Sequence, residues 1–345
     1  MLSGVTQDMH ANFSAQTSVT ELGGPPKDSQ RLPGTDFLAG VPEEFSRYLV
    51  DQDHLHYADE DHEVWRRVTA RNFEVFAAMQ ESIYTPYLDG LYSLALDPHA
   101  VPTIDAINER LATVGWTTAC VGGYIPTKVY ARLIERQIFP LARGVRRLKQ
   151  LEYSPTPDLV HDIFGHLPLL FCQQHRRYLK ELAATMSRAA ASPLDHALYE
   201  ANRLMSALKC DPGFLLDEVA EAEREVDRVQ RLLTETPSTL VELSRIFLWS
   251  IEFGLIGTKT GYKLHGAGLL SSIRESLSII NDPSRVVDYS IDVIKCDIHF
   301  SDLQSQYFVF SGYDKLMQVL TAYQSTMSLP RAEEVRSSGA LGRTL

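Results

Sequence analysis

The sequence predicts a mainly α-helical protein, because helical patterns recur along most of its length. Apolar side chains are spaced for one face of a helix through residues 62–83. Thr103 is a good N-cap for a second helix, in which apolar residues keep the i, i+3, i+7 spacing. Residues 245–255 have apolar side chains on all sides, which is typical of a buried helix.

The length of 345 residues and a hydrophobic content of 44% fit a protein that buries a sizeable core. We predict one folded domain over residues 41–328. Residues 1–40 are rich in Ser, Thr, Gly, Pro and Gln and show no period, which indicates a mobile N-terminal arm. Residues 329–345 are predicted to form a polar C-terminal tail.

Charge and cysteine content exclude several classes of protein. The net charge of −11 argues against a general nucleic-acid binder, which would show a basic face. No apolar run reaches the ~18 residues of a membrane span, and the first residues lack the order of a secretion signal. The four cysteines are scattered without a CxxC pair, which is typical of reduced thiols. We therefore expect a cytoplasmic protein with no membrane partner.

A further helix is predicted to begin just before a pair of histidines. Thr156 is placed to be its N-cap and Pro157 to be its first residue, where a missing N–H has no consequence. Asp158 would then lie in the first turn, where a negative charge suits the helix dipole.

His161 and His166 follow five residues apart. On an ideal helix this spacing places the two rings ~140° apart, so they can share a metal only if the helix is distorted or ends there. Gly165 and Pro168 are suitable residues for such a break. The alternative is two unrelated helical histidines.

Glu252 is predicted to be buried in the middle of the 245–255 helix, and a buried carboxylate needs a partner charge or a metal. Two histidines with one carboxylate form a ligand set that leaves positions of Fe(II) open for oxygen and substrate. The alternative is an ion pair between Glu252 and a buried arginine such as Arg146. A rival metal site at His54, His56 and His62 has many acidic neighbours, which favours a solvated surface.

Three motifs in order resemble the pterin-dependent aromatic amino acid hydroxylases, the family of the phenylalanine, tyrosine and tryptophan hydroxylases. They are Pro157-Asp158-x-x-His161-Asp162-x-x-Gly165-His166-x-Pro168, then Glu252-Phe-Gly-Leu255, then Gly266-Ala-Gly-Leu-Leu-Ser-Ser272. The resemblance runs from about residue 61 to about residue 320. It implies the catalytic-domain fold of that family, which is mainly α with a few short β-strands.

The separation of His166 from Glu252 is longer than in the animal members and resembles a longer bacterial branch that carries a helical insertion. We place this insertion at about residues 185–238 and predict two helices in it, over 194–208 and 214–233. The second has a narrow apolar stripe among alternating charges, which suits a hairpin laid over the body or a homodimer contact.

The resemblance implies three cofactors or co-substrates: Fe(II), tetrahydrobiopterin or a related tetrahydropterin, and O2. It assigns the iron to His161, His166 and Glu252, which are also the predicted catalytic residues. It places the pterin against a loop and two further side chains, of which Tyr130 would stack on the ring. The pterin-site residues are Val121, Gly123, Tyr124, Ile125, Tyr130 and Asp162. Asp162 stands where the family usually has a glutamate, so a bridging water is expected.

An amino acid substrate carries a carboxylate, and Arg146 aligns with the arginine that binds it in the family, with Asp158 as its orienting partner. The other residues that the resemblance assigns to the substrate site are Ser154, Pro155, Leu248, Phe253, Gly268 and Ser271. Leu248 stands where family members commonly have an aromatic residue. A leucine leaves more room, so the accepted ring or the attacked ring carbon is open to change.

The function implied is hydroxylation of the ring of an aromatic amino acid, with phenylalanine as the default substrate. The alternatives within the family are tryptophan, tyrosine or a pathway-specific aromatic amino acid. Outside it they are a 2-oxoglutarate-dependent iron oxygenase, a zinc hydrolase, and an inactive metal-binding or scaffold protein of the same fold.

Overall fold

The computed structural model of the chain describes residues 45, 47–151, 158–210, 216–298 and 303–327. The predicted arm over 1–40 and the predicted tail over 329–345 lie outside the described residues, as do Ser154, Pro155, Thr156 and Pro157.

Helix α1 spans Asp59–Ala78, so the helix predicted over 62–83 begins earlier and ends earlier than expected. Three acidic residues in its first turn suit the positive end of the helix dipole, which explains the early start. Ile83 lies instead in a parallel bridge with Leu264, because a short 3-10 turn over Gln80–Ser82 redirects the chain.

The next elements form a small helix-and-sheet layer. They are α2 (Thr85–Leu94), α3 (Ile104–Ala112), β1 (Thr117–Val121), α4 (Thr127–Glu135) and β2 (Ile138–Ala142). The prediction that Thr103 caps α3 is confirmed, since its side chain accepts a hydrogen bond from the Ala106 N–H. Strands β1 and β2 pair in parallel, with Thr117 opposite Ile138.

The histidine-bearing segment combines three helical geometries. It runs from a short α5 (Leu159–His161) into a π turn (Asp162–His166), here called the first π turn, and then into a 3-10 turn (Leu167–Phe171). Helix α6 (Gln173–Arg188) follows. The predicted start of this helix at Thr156 is wrong. Asp158 is the N-cap, because its side chain accepts a hydrogen bond from the backbone N–H of His161.

The two predicted helices of the insertion are present as α7 (Pro193–Cys210) and α8 (Leu216–Glu235), and they pack against each other. Val226, Val229 and Leu233 of the predicted α8 stripe are buried, whereas Val219 is half-buried, and the main packing partner of α8 is α7.

The second half of the body begins with α9 (Thr239–Phe247), which runs into a second π turn (Leu248–Glu252). The remaining elements are β3 (Leu255–Thr258), β4 (Gly261–Leu264), α10 (Ala267–Leu270), α11 (Ile273–Asn281), β5 (Val286–Asp288), β6 (Tyr307–Phe310) and α12 (Tyr313–Thr326). Their strands form one sheet in the order β4-β3-β6-β5, in which only the β3–β4 pair is antiparallel within the described residues.

One large hydrophobic core joins both halves and holds both π turns at its centre. The prediction of a mainly α fold with a few short strands is confirmed. None of the described helices is both long enough and apolar enough to cross a membrane.

Candidate active site

The two histidines meet because the helix that carries them changes geometry between them. In the first π turn the Leu167 N–H donates to the carbonyl of Asp162, five residues back, rather than four. The extra residue in this turn brings His161 and His166 to one side, with ring centroids 5.2 Å apart. The expectation that a shared site requires a distorted helix is thus confirmed. A break in the helix is not what requires a glycine at residue 165. A side chain on Gly165 would collide with the backbone of Ala267.

Glu252 is the last residue of the second π turn, as His166 is of the first. The Phe253 N–H donates to the Leu248 carbonyl, again five residues back, at 2.9 Å. Buried tyrosines hold both turns. The Tyr87 hydroxyl donates to the Phe164 carbonyl at 2.7 Å, and the Tyr178 hydroxyl lies 3.0 Å from the Ser250 hydroxyl.

The carboxylate of Glu252 faces both imidazoles. Its oxygens lie 2.9 Å from Nε2 of His166 and 3.6 Å from Nε2 of His161. The alternative ion pair between Glu252 and Arg146 is wrong, since Arg146 binds Asp158 instead. Three nitrogen and oxygen donors from two distant segments therefore converge on a common point.

The electrostatics of this cluster suit a metal. Burial lowers the pKa of His161 to about 4, so its ring is neutral near pH 7. Burial acts to raise the pKa of Glu252, yet the charge and hydrogen bond of His166 and a backbone N–H of Gly268 hold that pKa below its usual value. Burial acts to lower the pKa of His166, but the Glu252 carboxylate raises it more. The ionised Glu252 and the neutral His161 are in the state that binds metals, whereas a proton that the raised pKa favours on His166 has to leave when a metal binds.

A hydrogen-bond relay sets the tautomer of His161. The Ser271 hydroxyl donates to the carbonyl of Ala267 at 2.7 Å, so its oxygen accepts a hydrogen bond from Nδ1–H of His161 at 2.8 Å. With the proton on Nδ1, the lone pair of Nε2 points toward Glu252 and is available to a metal. Ser271, which the sequence resemblance assigns to the substrate loop, thus also contacts a candidate ligand.

Asp162 is a rival for the third ligand position. Its carboxylate and the two imidazoles each offer an atom within 4.8 Å of the others. However, one oxygen of Asp162 accepts a 2.6 Å hydrogen bond from the Ala142 N–H at the end of β2. Burial also raises the pKa of Asp162 to about 7, against the opposing effects of His166 and that N–H. A group that is often protonated is the poorer ligand, which favours Glu252.

Arg146 and Asp158 form a buried, two-pronged ion pair. Nε and Nη2 of Arg146 donate to the two carboxylate oxygens at 2.9 and 2.7 Å, and the Arg146 backbone N–H donates at 2.9 Å. Because Asp158 also caps the helix of His161, it links the arginine to this candidate metal ligand.

The predicted substrate wall lies around the second π turn. Leu248 opens that turn and is half-buried, and Phe253 follows its end. Gly268 packs on the ring of Phe253, where an added Cβ would lie 2.9 Å from a ring carbon. Trp249 is core, not site, since its indole N–H donates to the Cys296 carbonyl.

The predicted pterin loop leaves β1 at Val121 and is open. Gly123 has φ +79°, which favours glycine, and no described atom lies within 4 Å of the position of its missing Cβ. Tyr124 is 40% exposed and stacks on Tyr199 of α7, with centroids 6.1 Å apart and planes 26° apart. Ile125 is half-buried beside it.

Tyr130 lies in α4, which follows this loop, and packs against the main hydrophobic core. Its ring meets those of Phe139 and Phe247 edge-on at 6.1 and 5.7 Å. Burial, and then the charges of Glu252 and Asp162, raise its pKa. The side chain is thus close enough to the cluster to sense both carboxylates.

Sequence reasoning missed a polar group beside Arg146. A cavity of about 80 Å³ lies there, lined by Arg67, Val68, Arg71, Asn72, Arg146, Leu151, Ser271 and Ile273. Asn72 is the informative member, because it is a polar residue on the buried face of α1. The signal in the sequence is its place four residues after Val68 and four before Phe76, in an otherwise apolar stripe.

The three histidines of the rival metal site contact other protein groups through their ring nitrogens. Nε2 of His54 lies 2.7 Å from the Val101 carbonyl, and Nδ1 of His62 accepts from the Val101 N–H. His56 contacts Asp53. This agrees with the preference for no metal there.

Comparison with known proteins decides the family. The profile of a family described as biopterin-dependent aromatic amino acid hydroxylase matches residues 46–192 and 218–337. The chain belongs to this family. The stretch that the match skips, 193–217, contains all of α7.

Individual hydroxylases are similar over most of their length. The phenylalanine-4-hydroxylase of Pseudomonas aeruginosa is 28% identical over 299 residues, covering 86% of this chain and 91% of that protein. That of Mesorhizobium japonicum is 31% identical over 278 residues, covering 78% and 81%.

Solved hydroxylases have the same fold. The structure of Chromobacterium violaceum phenylalanine hydroxylase with bound oxidised Fe(III) matches with a TM-score of 0.61 at 25% identity, covering 84% of this chain and 95% of that one. A second structure of that enzyme, with iron(III) and 7,8-dihydrobiopterin, has the same score and identity and covers 84% and 94%. The predictions of family, catalytic-domain fold and enzyme class are confirmed, and the iron and pterin cofactors are confirmed at the level of the family.

Proposed function

We propose that this hydroxylase binds iron through His161, His166 and Glu252 and hydroxylates the ring of phenylalanine. The observation that carries the proposal is the approach of both Glu252 oxygens to the two imidazole nitrogens, at 2.9 and 3.6 Å. A set of two imidazoles and one carboxylate suits ferrous iron and leaves coordination positions for other molecules.

The amino acid would enter beside the iron with its carboxylate on Arg146. Asp158 accepts hydrogen bonds from Nε and Nη2 along one edge of the guanidinium, which fixes its pose before the substrate arrives. Leu248, Phe253 and Gly268 would enclose the ring. A leucine at 248 gives a wider pocket than an aromatic residue would. We therefore include a changed ring position, or tryptophan, tyrosine or a pathway-specific aromatic amino acid, among the products to be sought.

The pterin would lie against residues 121–125, with Tyr130 on its ring and Asp162 reached through a water. The open surroundings of Gly123 support this placement, because a flat ligand can approach that backbone closely. Iron held by these residues and a tetrahydropterin beside it would supply the activation of O2 and the two electrons that transfer of one oxygen atom to a ring requires. The protein would position the reactants, exclude water and keep the proton of His161 on Nδ1, where it is donated to the Ser271 hydroxyl oxygen.

The predictions of a cytoplasmic location and of a homodimer contact remain proposals. The scattered cysteines favour the cytoplasm. The α7–α8 hairpin would offer a homodimer contact, through its exposed face.

Product analysis tests the function. Iron-loaded enzyme is incubated with tetrahydrobiopterin and each aromatic amino acid in turn, and products are identified by mass and retention. We expect a hydroxylated phenylalanine, formed only with pterin. If none of the amino acids gains an oxygen while iron is bound, the inactive-scaffold alternative would hold instead.

A further inference from the structure

Helix α1 carries two buried polar side chains about one turn apart, at Thr69 and Asn72. Thr69 is 0% exposed and Asn72 is 3% exposed. Among the described residues, neither Oγ1 of Thr69 nor Nδ2 of Asn72 has a hydrogen-bond partner. A buried polar group without a partner destabilises a protein, so each calls for an explanation.

The surroundings of the two groups differ. Asn72 lines the cavity of about 80 Å³ that also contains Arg146 and Ser271, whereas Thr69 does not. Arg146 is the residue on which we propose the substrate carboxylate rests, and Ser271 holds the candidate ligand His161. The unpaired amide of Asn72 therefore shares a cavity with the centre of the proposed substrate site.

The chemistry of the amide selects one part of an amino acid. An amide NH2 donates hydrogen bonds, so it complements a carboxylate, which only accepts. It does not complement an ammonium group, which only donates. Arg67 and Arg71 line the same cavity, which also favours an anion there.

We propose that Asn72 is a substrate-binding residue whose side-chain NH2 donates to the carboxylate of the amino acid beside Arg146. The inference rests on the proposed function to the extent that Arg146 receives this carboxylate. This donor, which has no partner among the described residues, gains one when the substrate binds. Asn72 thus adds a neutral, directional hydrogen bond to the carboxylate that the charge of Arg146 also attracts.

The sharpest test replaces Asn72 by leucine, which has a similar volume and no donor. A hydrogen bond to a charged group contributes about 1.5–3 kcal/mol, so we expect the Kd for L-phenylalanine to rise about tenfold to a hundredfold. Calorimetry on the iron-loaded protein measures this, and kinetics should show a raised KM with kcat little changed. Tm should be equal or higher, because an unpaired buried group has been removed.

Two comparisons separate binding from packing. Thr69→Val removes the other unpaired group on the same helix, and it should leave the Kd for L-phenylalanine unchanged. Phenethylamine, which lacks the carboxylate, should bind the wild type and Asn72→Leu equally. Asn72→Asp keeps the shape and adds a negative charge, so it should weaken L-phenylalanine binding more than leucine does.

The outcomes also distinguish this inference from the proposed function. If Asn72→Leu binds L-phenylalanine like the wild type while Arg146→Lys binds it more weakly, the role of Asn72 is overturned and the carboxylate site stands. If Arg146→Lys also has no effect, the carboxylate site itself is wrong. Tighter binding by Asn72→Asp would mean that the side chain meets the ammonium group, which contradicts the proposal.

Discussion

The two halves of the proposed site, here called the metal side and the pterin side, are built in different ways. On the metal side, His166 and Glu252 each end a π turn, and a buried tyrosine holds each turn from behind. On the pterin side, residues 121–125 form an open loop whose Tyr124 is partly exposed. It stacks on Tyr199, which lies in the stretch that the family profile skips.

This contrast indicates which parts of the structure fix the positions of the residues in each proposed cofactor site. The donors on the metal side are fixed by backbone geometry within one large core, and that core belongs to the family fold. The proposed pterin loop is held by the bridge between Leu49 and Val121 and by contact with a helix that the family profile does not match. Changes on the metal side should therefore have large effects, and changes on the pterin side graded ones.

The largest expected effect is the loss of iron. Glu252→Ala or His161→Ala should abolish both iron binding and turnover, because each removes one of only three proposed protein ligands. Bound iron per chain and product formation measure the two. Asp162→Asn is the matched control, and we expect it to retain iron. Iron retained by Glu252→Ala and lost by Asp162→Asn would move the third ligand to Asp162.

A pair of glycines tests whether the metal side is the more tightly packed. A Cβ at Gly266 would lie 2.2 Å from the Glu252 carbonyl oxygen, so Gly266→Ala must displace the candidate ligand. A Cβ at Gly123 would meet no described atom within 4 Å and only the strain of φ +79° remains. We expect Gly266→Ala to lower iron content and Tm sharply.

Gly123→Ala should change Tm by only a few degrees and leave iron content as it is, since the left-handed conformation costs a non-glycine residue about 1–2 kcal/mol. Equal losses of iron in the two variants would remove the contrast between the two sides. Gly144→Ala, which also meets nothing in the described part of the chain, controls for the substitution itself.

Ser271 should have a smaller effect, through the orientation of His161. Ser271→Ala removes the acceptor of the Nδ1–H hydrogen bond, and losing such a partner typically weakens metal affinity about 10- to 100-fold. Iron titration in competition with a chelator measures this change. Unaltered affinity would show that the bond does not set the tautomer of His161.

The smallest effect is expected at the Tyr124–Tyr199 stack. Aromatic pairs contribute about 0.5–1.5 kcal/mol, so Tyr199→Ala should weaken binding of 7,8-dihydrobiopterin about twofold to tenfold. Tyr199→Phe keeps the ring and should behave like the wild type. Leu204→Ala, at an exposed residue of the same helix, is the control. A Tyr199→Ala variant that binds the pterin normally would assign α7 to packing alone.

Much of the metal side could be predicted from the sequence, since the spacing of His161 and His166 required a distorted helix and the buried Glu252 required a partner. The π turns themselves could not be predicted from the sequence, because their i→i+5 hydrogen bonds depend on tertiary contacts such as the one from Tyr87. The sequence predicts that the histidine helix starts at Thr156, because Thr-Pro is a good local signal. Asp158 is the N-cap instead, because its carboxylate accepts hydrogen bonds both from the His161 N–H and from the Arg146 guanidinium.

The interior of the substrate side was harder to predict. Asn72 interrupts an apolar stripe, yet only the three-dimensional structure places it in a cavity with Arg146, seventy-odd residues later in the chain. The Tyr124–Tyr199 contact joins a family loop to a helix outside the family match, and no local pattern connects the two.

A crystal structure of the iron-loaded enzyme tests the central claim most directly. We predict one iron within bonding distance of Nε2 of His161, Nε2 of His166 and the carboxylate of Glu252, with Asp162 still accepting the Ala142 N–H. An iron held by Asp162 in place of Glu252, or located away from both histidines, would contradict the account.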